Sequence, residues 1–128
     1  MQQDTLSDAL SAINNAARND KEHAVIAPTS NVVQNVLIEL QQKGYIGVFE
    51  LIEDGKGRKF KVEVKNINKC QPVKPNFSVQ KDEFEDWAQR YLPARGFGDL
   101  LVTTSQGIMT HEKAREEEVG GKLLGYVY

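Results

Sequence analysis

The chain has 128 residues, 40% hydrophobic and 27% charged, with 16 Lys or Arg against 18 Asp or Glu. That suits one compact unit or two small lobes sharing a core, and the net charge of −2 argues mildly against nucleic acid as a partner. A single cysteine, Cys70, excludes an internal disulfide and favours a cytoplasmic setting; the sequence has no apolar run of about 18 residues for a membrane span, and "MQQDTLSDAL" lacks the basic start and apolar core of a secretory leader.

The first element predicted is a helix. Asp4 stands as its N-cap, and Leu6, Ala9, Leu10, Ile13 and Ala17 share one apolar stripe. "HAVIA" (23–27) reads as a short strand. Pro28-Thr29-Ser30 punctuates, Ser30 can cap a second helix, and Val33, Val36, Leu37 and Leu40 form its buried stripe before Gly44 ends it. "YIGVFELI" (45–52) is a strand and "EDGKG" (53–57) a turn. "RKFKVEVK" (58–65) alternates, with Phe60, Val62 and Val64 on one face and Lys59, Lys61, Glu63 and Lys65 on the other. That is a half-buried antiparallel strand.

After Asn66, "INKCQPVKPNFSV" is extended, with prolines that suit a sheet edge. "DEFEDWAQRYL" (82–92) places Phe84, Trp87, Ala88 and Tyr91 at helical spacing, with Asp82 as candidate cap. The stripe points to core packing rather than to a base-stacking platform. "FGDLLVTTS" (97–105) reads as a strand, Thr110 as the cap of a short helix over 111–118 broken by Gly120-Gly121, and "KLLGYVY" (122–128) as a further strand. The expected class is α+β in two small lobes: an N-terminal α-β-α-β-β lobe over 1–66 and a β-rich lobe with short helices over 67–128.

Charge is unevenly spread. Residues 56–65 hold five Lys or Arg and one Glu, while acids collect at "DEFED" (82–86) and "EEE" (116–118). Such runs are ordinarily solvated faces, though a local basic stripe can hold phosphates in a neutral protein. The triple Glu is read as facing solvent or a basic neighbour.

The stretch "VTTSQGIMTHEKAR" (102–115) nearly spells two hydrolase signatures. His111-Glu112 opens a zinc motif, but Arg115 stands where a second His must ligate. Thr103 to Gly107 approach a nucleophile elbow around Ser105, in an expected strand–turn–helix context and with His111 or His23 as the base it would need, but Thr103 replaces the glycine that the sharp turn requires. "RGFGD" and "DGKG" are turns rather than phosphate cradles. Read instead as a binding surface, Thr103, Thr104, Ser105 and Gln106 donate and accept hydrogen bonds without charge. That suits ribose hydroxyls and base edges in the shallow groove of RNA.

Here the chain resembles a known family. "LLVTTSQGIMTHEKAREEEVGGKLLGYVY", "DTLSDALSAINNA", "PTSNVVQNVLIELQQKGYI", "INKCQPVKPNFSV" and "RYLPARGFG" are similar, in order, to the universal small-subunit ribosomal protein eight family, in its archaeal form. The resemblance implies two lobes and direct binding to the central domain of 16S-type ribosomal RNA, at an irregular helix, early in assembly. It implies a hydroxyl-rich reading loop at Thr103, Thr104, Ser105, Gln106 and Gly107. Relatives in bacteria also bind their own messenger RNA, which makes that RNA a second candidate partner. Three departures stand out: Gln106 replaces the usual basic residue of the loop, Thr103 its first serine, and Thr5 a proline. Losing a cation weakens the phosphate contribution and leaves the hydroxyl contacts.

On this reading, phosphates fall to Lys56, Arg58, Lys59 and Lys61, and to Ser30 and Asn31 at a helix N-terminus. Lys113 and Arg115 are further candidates. The expected protein is a non-enzymatic ribosomal constituent in the cytoplasm. It is monomeric outside the particle, with no cofactor, metal or membrane, and with small-subunit proteins as neighbours. The alternatives are a small serine hydrolase using Ser105, or a protein-interaction domain without catalysis. Cys70 is expected to be an inert, partly buried thiol.

Overall fold

The computed structural model describes residues 5–26, 31–53, 55, 57–74, 76–94 and 96–128. Asp4 and Ser30, the expected caps of the first two helices, lie outside them. Two compact units are present, Met1–Cys70 and Gln71–Tyr128.

In the first unit the elements run α1 (Thr5–Arg18), β1 (His23–Ile26), α2 (Asn31–Gln42), β2 (Ile46–Glu53) and β3 (Arg58–Val64), the α-β-α-β-β order expected. The strands form an antiparallel sheet in the order β1-β3-β2. Val62 pairs with Ala24 on one side and Phe49 on the other, and Phe60 with Ile26 and Leu51. The buried row Ala24, Ile26, Ile46, Phe60 and Val62 forms the core with the helix stripes Leu6, Ala9, Leu10 and Ile13, and Val33, Val36, Leu37 and Leu40. Two details depart from the periodicity. Ala16 is buried where Ala17 was expected, and Val64 is only half-buried. Asn14 is also buried, and its Oδ1 accepts the Cys70 N–H at 3.0 Å, which satisfies a polar group that would otherwise be costly there. Cys70 itself is fully buried rather than partly so.

Both helices end by the same device. At α2, Tyr45 N–H donates to Leu40 O and Gly44 N–H to Gln41 O, with Gly44 at φ +82°. This paired closure needs a left-handed residue, and glycine supplies it without strain. At α1 the same two bonds run from Lys21 to Ala16 and from Asp20 to Ala17, and Asp20 takes the positive φ.

The second unit carries β5 (Ser78–Val79), α3 (Phe84–Tyr91), β6 (Asp99–Thr104), β7 (Gly107–Thr110), α4 (His111–Glu116) and β8 (Gly121–Val127). Its sheet has the order β4-β8-β6-β7, where β4 is Cys70–Pro72, and β5 also pairs with β8. The proline-bearing strand is thus at an edge. Val73, Val79, Phe84, Leu100, Val102, Met109, Ala114 and Leu123 form the core. Trp87, Ala88 and Tyr91 pack against it half-buried, so the α3 stripe is core-facing. Rings continue outward in stacked order from Trp87 to Tyr91, Tyr126 and Tyr128, with the Arg90 guanidinium 4.7 Å from the Trp87 ring centroid.

Three expectations need correction here. The N-cap of α3 is Glu83, not Asp82, and its carboxylate accepts the Gln80 N–H at 2.8 Å rather than a helix N–H. α4 ends at Glu116, before the glycine pair, because Glu118 adopts φ +57° and Val119 N–H closes on Ala114 O. The third concerns the loop around Ser105. A strand, β7, stands between that loop and α4, where a turn leading straight into a helix was expected.

Candidate nucleic-acid interface

β6 and β7 form a hairpin with Val102 opposite Met109, Thr103 opposite Ile108 and Thr104 opposite Gly107. Only Ser105 and Gln106 remain at the tip. The Thr104 hydroxyl makes this tight turn possible: it donates to Gly107 O at 2.8 Å and accepts the Gln106 N–H at 3.1 Å. Hydroxyl side chains commonly close turns in this way. Gly107 absorbs the remaining twist at φ +116°, so neither Ser105 nor Gln106 takes a positive φ.

The tip therefore divides its hydroxyls by task. Thr104 is half-buried and engaged within the turn. Ser105, Gln106 and Gly107 are exposed, and Ser105 makes no side-chain hydrogen bond among the described residues. An exposed hydroxyl, an exposed amide and a bare backbone stand together without charge, which is the chemistry that reads base edges and ribose hydroxyls.

The sheet adds a cation that the sequence reading missed. Lys122 of β8 is exposed and lies directly across from Thr103 on one side and Ser78 on the other. Ser78, Lys122, Thr103 and Ile108 thus form one cross-strand row on one face. Nothing local in "GGKLLG" marks Lys122; only the β6–β8 register brings it beside the hydroxyl run. Gly121 opposite Thr104 makes this close pairing possible, because a Cβ there would strike the Thr103 carbonyl.

The hydrolase reading fails on the same geometry. A nucleophile elbow needs a strand-to-helix turn, whereas Ser105 is followed by β7. Of its two candidate bases, His111 is buried and its Nδ1 accepts the Leu100 N–H at 3.0 Å, and His23 stands on β1 of the first unit.

The basic run of the first unit is tempered by neighbouring acids. Arg58 pairs with Glu53 at 3.0 Å, with both side chains mostly exposed. Lys61 stands across from Glu50, and Lys59 across from Ile52, both lysines half-buried. Asn31 is the exposed first residue of α2. Ser30 and Lys56 lie outside the described residues. In the second unit Lys113 is exposed, and Arg115 is tied to Glu85 at 3.0 Å.

A family model described as ribosomal protein S8 matches residues 4–128. The chain belongs to the ribosomal protein S8 family. Among its S8 relatives, the small ribosomal subunit protein uS8 of Halobacterium salinarum is 51% identical over 126 residues, 98% of this chain and 97% of that protein. The uS8 of Haloarcula marismortui is 48% identical over the same shares. That of the methanogen Methanosphaerula palustris is 44% identical over 98% of both chains. The archaeal form expected from the sequence is therefore matched along nearly its whole length. S8 proteins are structural and not enzymes, which removes the serine-hydrolase alternative on independent grounds.

Proposed function

We propose that this chain is a structural constituent of the small ribosomal subunit in the cytoplasm, and that it binds the central domain of 16S-type ribosomal RNA through the β6–β7 hairpin. The carrying observation is the uncharged tip, Ser105-Gln106-Gly107, held by Thr104 and flanked by Lys122. In this reading the 67–128 lobe reads the RNA and the 1–66 lobe positions it.

Thr103, Ser105, Gln106 and Gly107 address bases and riboses, and Thr104 shapes the turn. Lys122 and the candidates Lys56, Arg58, Lys59, Lys61, Ser30 and Asn31 address phosphates; Lys113 and Arg115, which stand among the acids of α4 with Arg115 tied to Glu85, are not assigned this role. Contacts of the second kind carry the salt dependence, and contacts of the first kind carry specificity. Outside the particle the protein is a monomer, and a messenger hairpin of the same shape would occupy the same surface.

The test is binding to a central-domain hairpin and to an unrelated duplex across a salt series. A clear preference for the hairpin that Ser105→Ala reduces, with an unchanged salt slope, supports the assignment. Equal binding to both RNAs would sink it.

A further inference from the structure

At the other end of β6 lies a cavity of about 460 Å³. Glu85, Ala88, Gln89 and Leu92 line it from one face of α3, and His111, Glu112 and Arg115 from one face of α4. The 92–98 connection supplies Pro93, Ala94, Gly96 and Gly98. The Glu85–Arg115 ion pair spans the two helices, and the His111–Leu100 hydrogen bond ties α4 to β6.

Leu100 and Thr104 are four residues apart on one strand, about 13 Å. The cavity and the hairpin tip therefore occupy opposite ends of a single rigid element. Their chemistry is opposite as well. The tip is uncharged with a lysine beside it. Residues 80–98 and 111–120, which contain the two helices around the cavity and the connection from α3 to β6, carry eight Asp or Glu against five Lys or Arg. Glu116, Glu117 and Glu118 all face solvent there. The rest of the chain is therefore slightly basic, since the whole carries −2. An RNA phosphate backbone would be repelled from this end, while a cationic chain would be attracted. The walls between the charges are small and apolar: Ala88, Leu92, Pro93 and Ala94.

We infer that the α3–α4 cavity is a docking site for a lysine- or arginine-bearing segment of a neighbouring small-subunit protein. An apolar side chain of that segment enters over Ala88 and Leu92, and its cations meet the acidic rims. This rests on the small-subunit reading above. It makes the second unit two-ended, with RNA at the hairpin tip and protein at the helices.

A photo-crosslinking residue placed at exposed Ala94 in the full chain, assembled into small subunits, tests it. The expected product is a crosslink to a Lys/Arg-rich protein segment, identified by mass spectrometry. Reversing charge with Glu112→Lys/Glu116→Lys should cut its yield about tenfold. A crosslink to ribosomal RNA, to an acidic or neutral segment, or to nothing in subunits that contain the protein would overturn the inference. So would a yield indifferent to the charge reversal. Binding of the same variants to the central-domain hairpin is measured in parallel. If hairpin binding is intact and the crosslink fails, the docking site is wrong; if hairpin binding itself is absent, the small-subunit reading is wrong.

Discussion

The strand β3 and the β6–β7 hairpin invite opposite expectations from their sequences. β3 is the most basic stretch of the chain, yet Arg58 is paired with Glu53 and Lys61 faces Glu50 across the ladder. The hairpin tip carries no charge, yet it presents Ser105, Gln106 and the Gly107 backbone openly and has Lys122 alongside. A run of like charges in sequence says little about the free charge of a surface, because antiparallel neighbours supply the counter-ions. A run of hydroxyls says more, provided one of them folds the turn and leaves the others exposed.

The sharpest way to break this contrast is through glycine. At Gly121 a Cβ would strike backbone, the Thr103 carbonyl; at Gly47 it would strike the flexible end of Glu63. Gly121→Ala should cost about 2–4 kcal/mol of unfolding free energy, and Gly47→Ala less than about 1 kcal/mol, in urea denaturation. Similar losses at both sites would mean that β8 yields where a rigid pairing was argued.

Next comes Cys70, a group of the first unit kept neutral by burial. Desolvation pushes its pKa up from 9.0 to about 12. The folded thiol then keeps its proton while the unfolded chain ionises, so its contribution is complete below pH 9 and is lost as pH rises toward 12. Between about pH 8 and 10.5, wild type should lose about 2 kcal/mol relative to Cys70→Ala, by urea unfolding at each pH. Parallel curves would show that the thiol reaches water.

Within the hairpin, Thr104→Val removes both turn bonds and should cost about 1–2 kcal/mol of stability. Ser105→Ala should leave stability within about 0.5 kcal/mol while weakening hairpin RNA binding by roughly 1–3 kcal/mol. Equal effects of the two on folding would erase the division of labour at the tip. The smallest expected effect is Arg58→Ala. As an exposed pair it should shift stability by less than about 0.5 kcal/mol, and it should lower the salt slope of RNA binding by about 1 only if it meets a phosphate.

The first unit was largely legible, because Val33, Val36, Leu37 and Leu40 repeat at helical period and Phe60 and Val62 at strand period, and each pattern permits one buried face. β7 was not. Its four residues follow a turn and run directly into α4, so they are too short to show a period. Two helix ends were also hidden: Asp20 and Glu118 adopt left-handed backbone because hydrogen bonds from Lys21 and Val119 close the last turn. At the site, the hydroxyl run was visible as composition, but the role of Thr104 and the presence of Lys122 depend on register. Register joins residues nearly twenty positions apart and leaves no local mark.

The placement of β8 bears on how the protein is made. Among the described strands it is the latest in sequence, yet it lies inside its sheet, between β6 and the β4 and β5 strands. During synthesis β4, β5 and the β8-facing edge of β6 must wait, with backbone donors and acceptors uncapped, until β8 emerges, while the β6–β7 hairpin can already pair. The first unit needs nothing from beyond its own span to complete its sheet. The nascent chain therefore passes through a stage with one finished lobe and one open sheet edge, and that interval is when it is most exposed to pairing with the wrong strand.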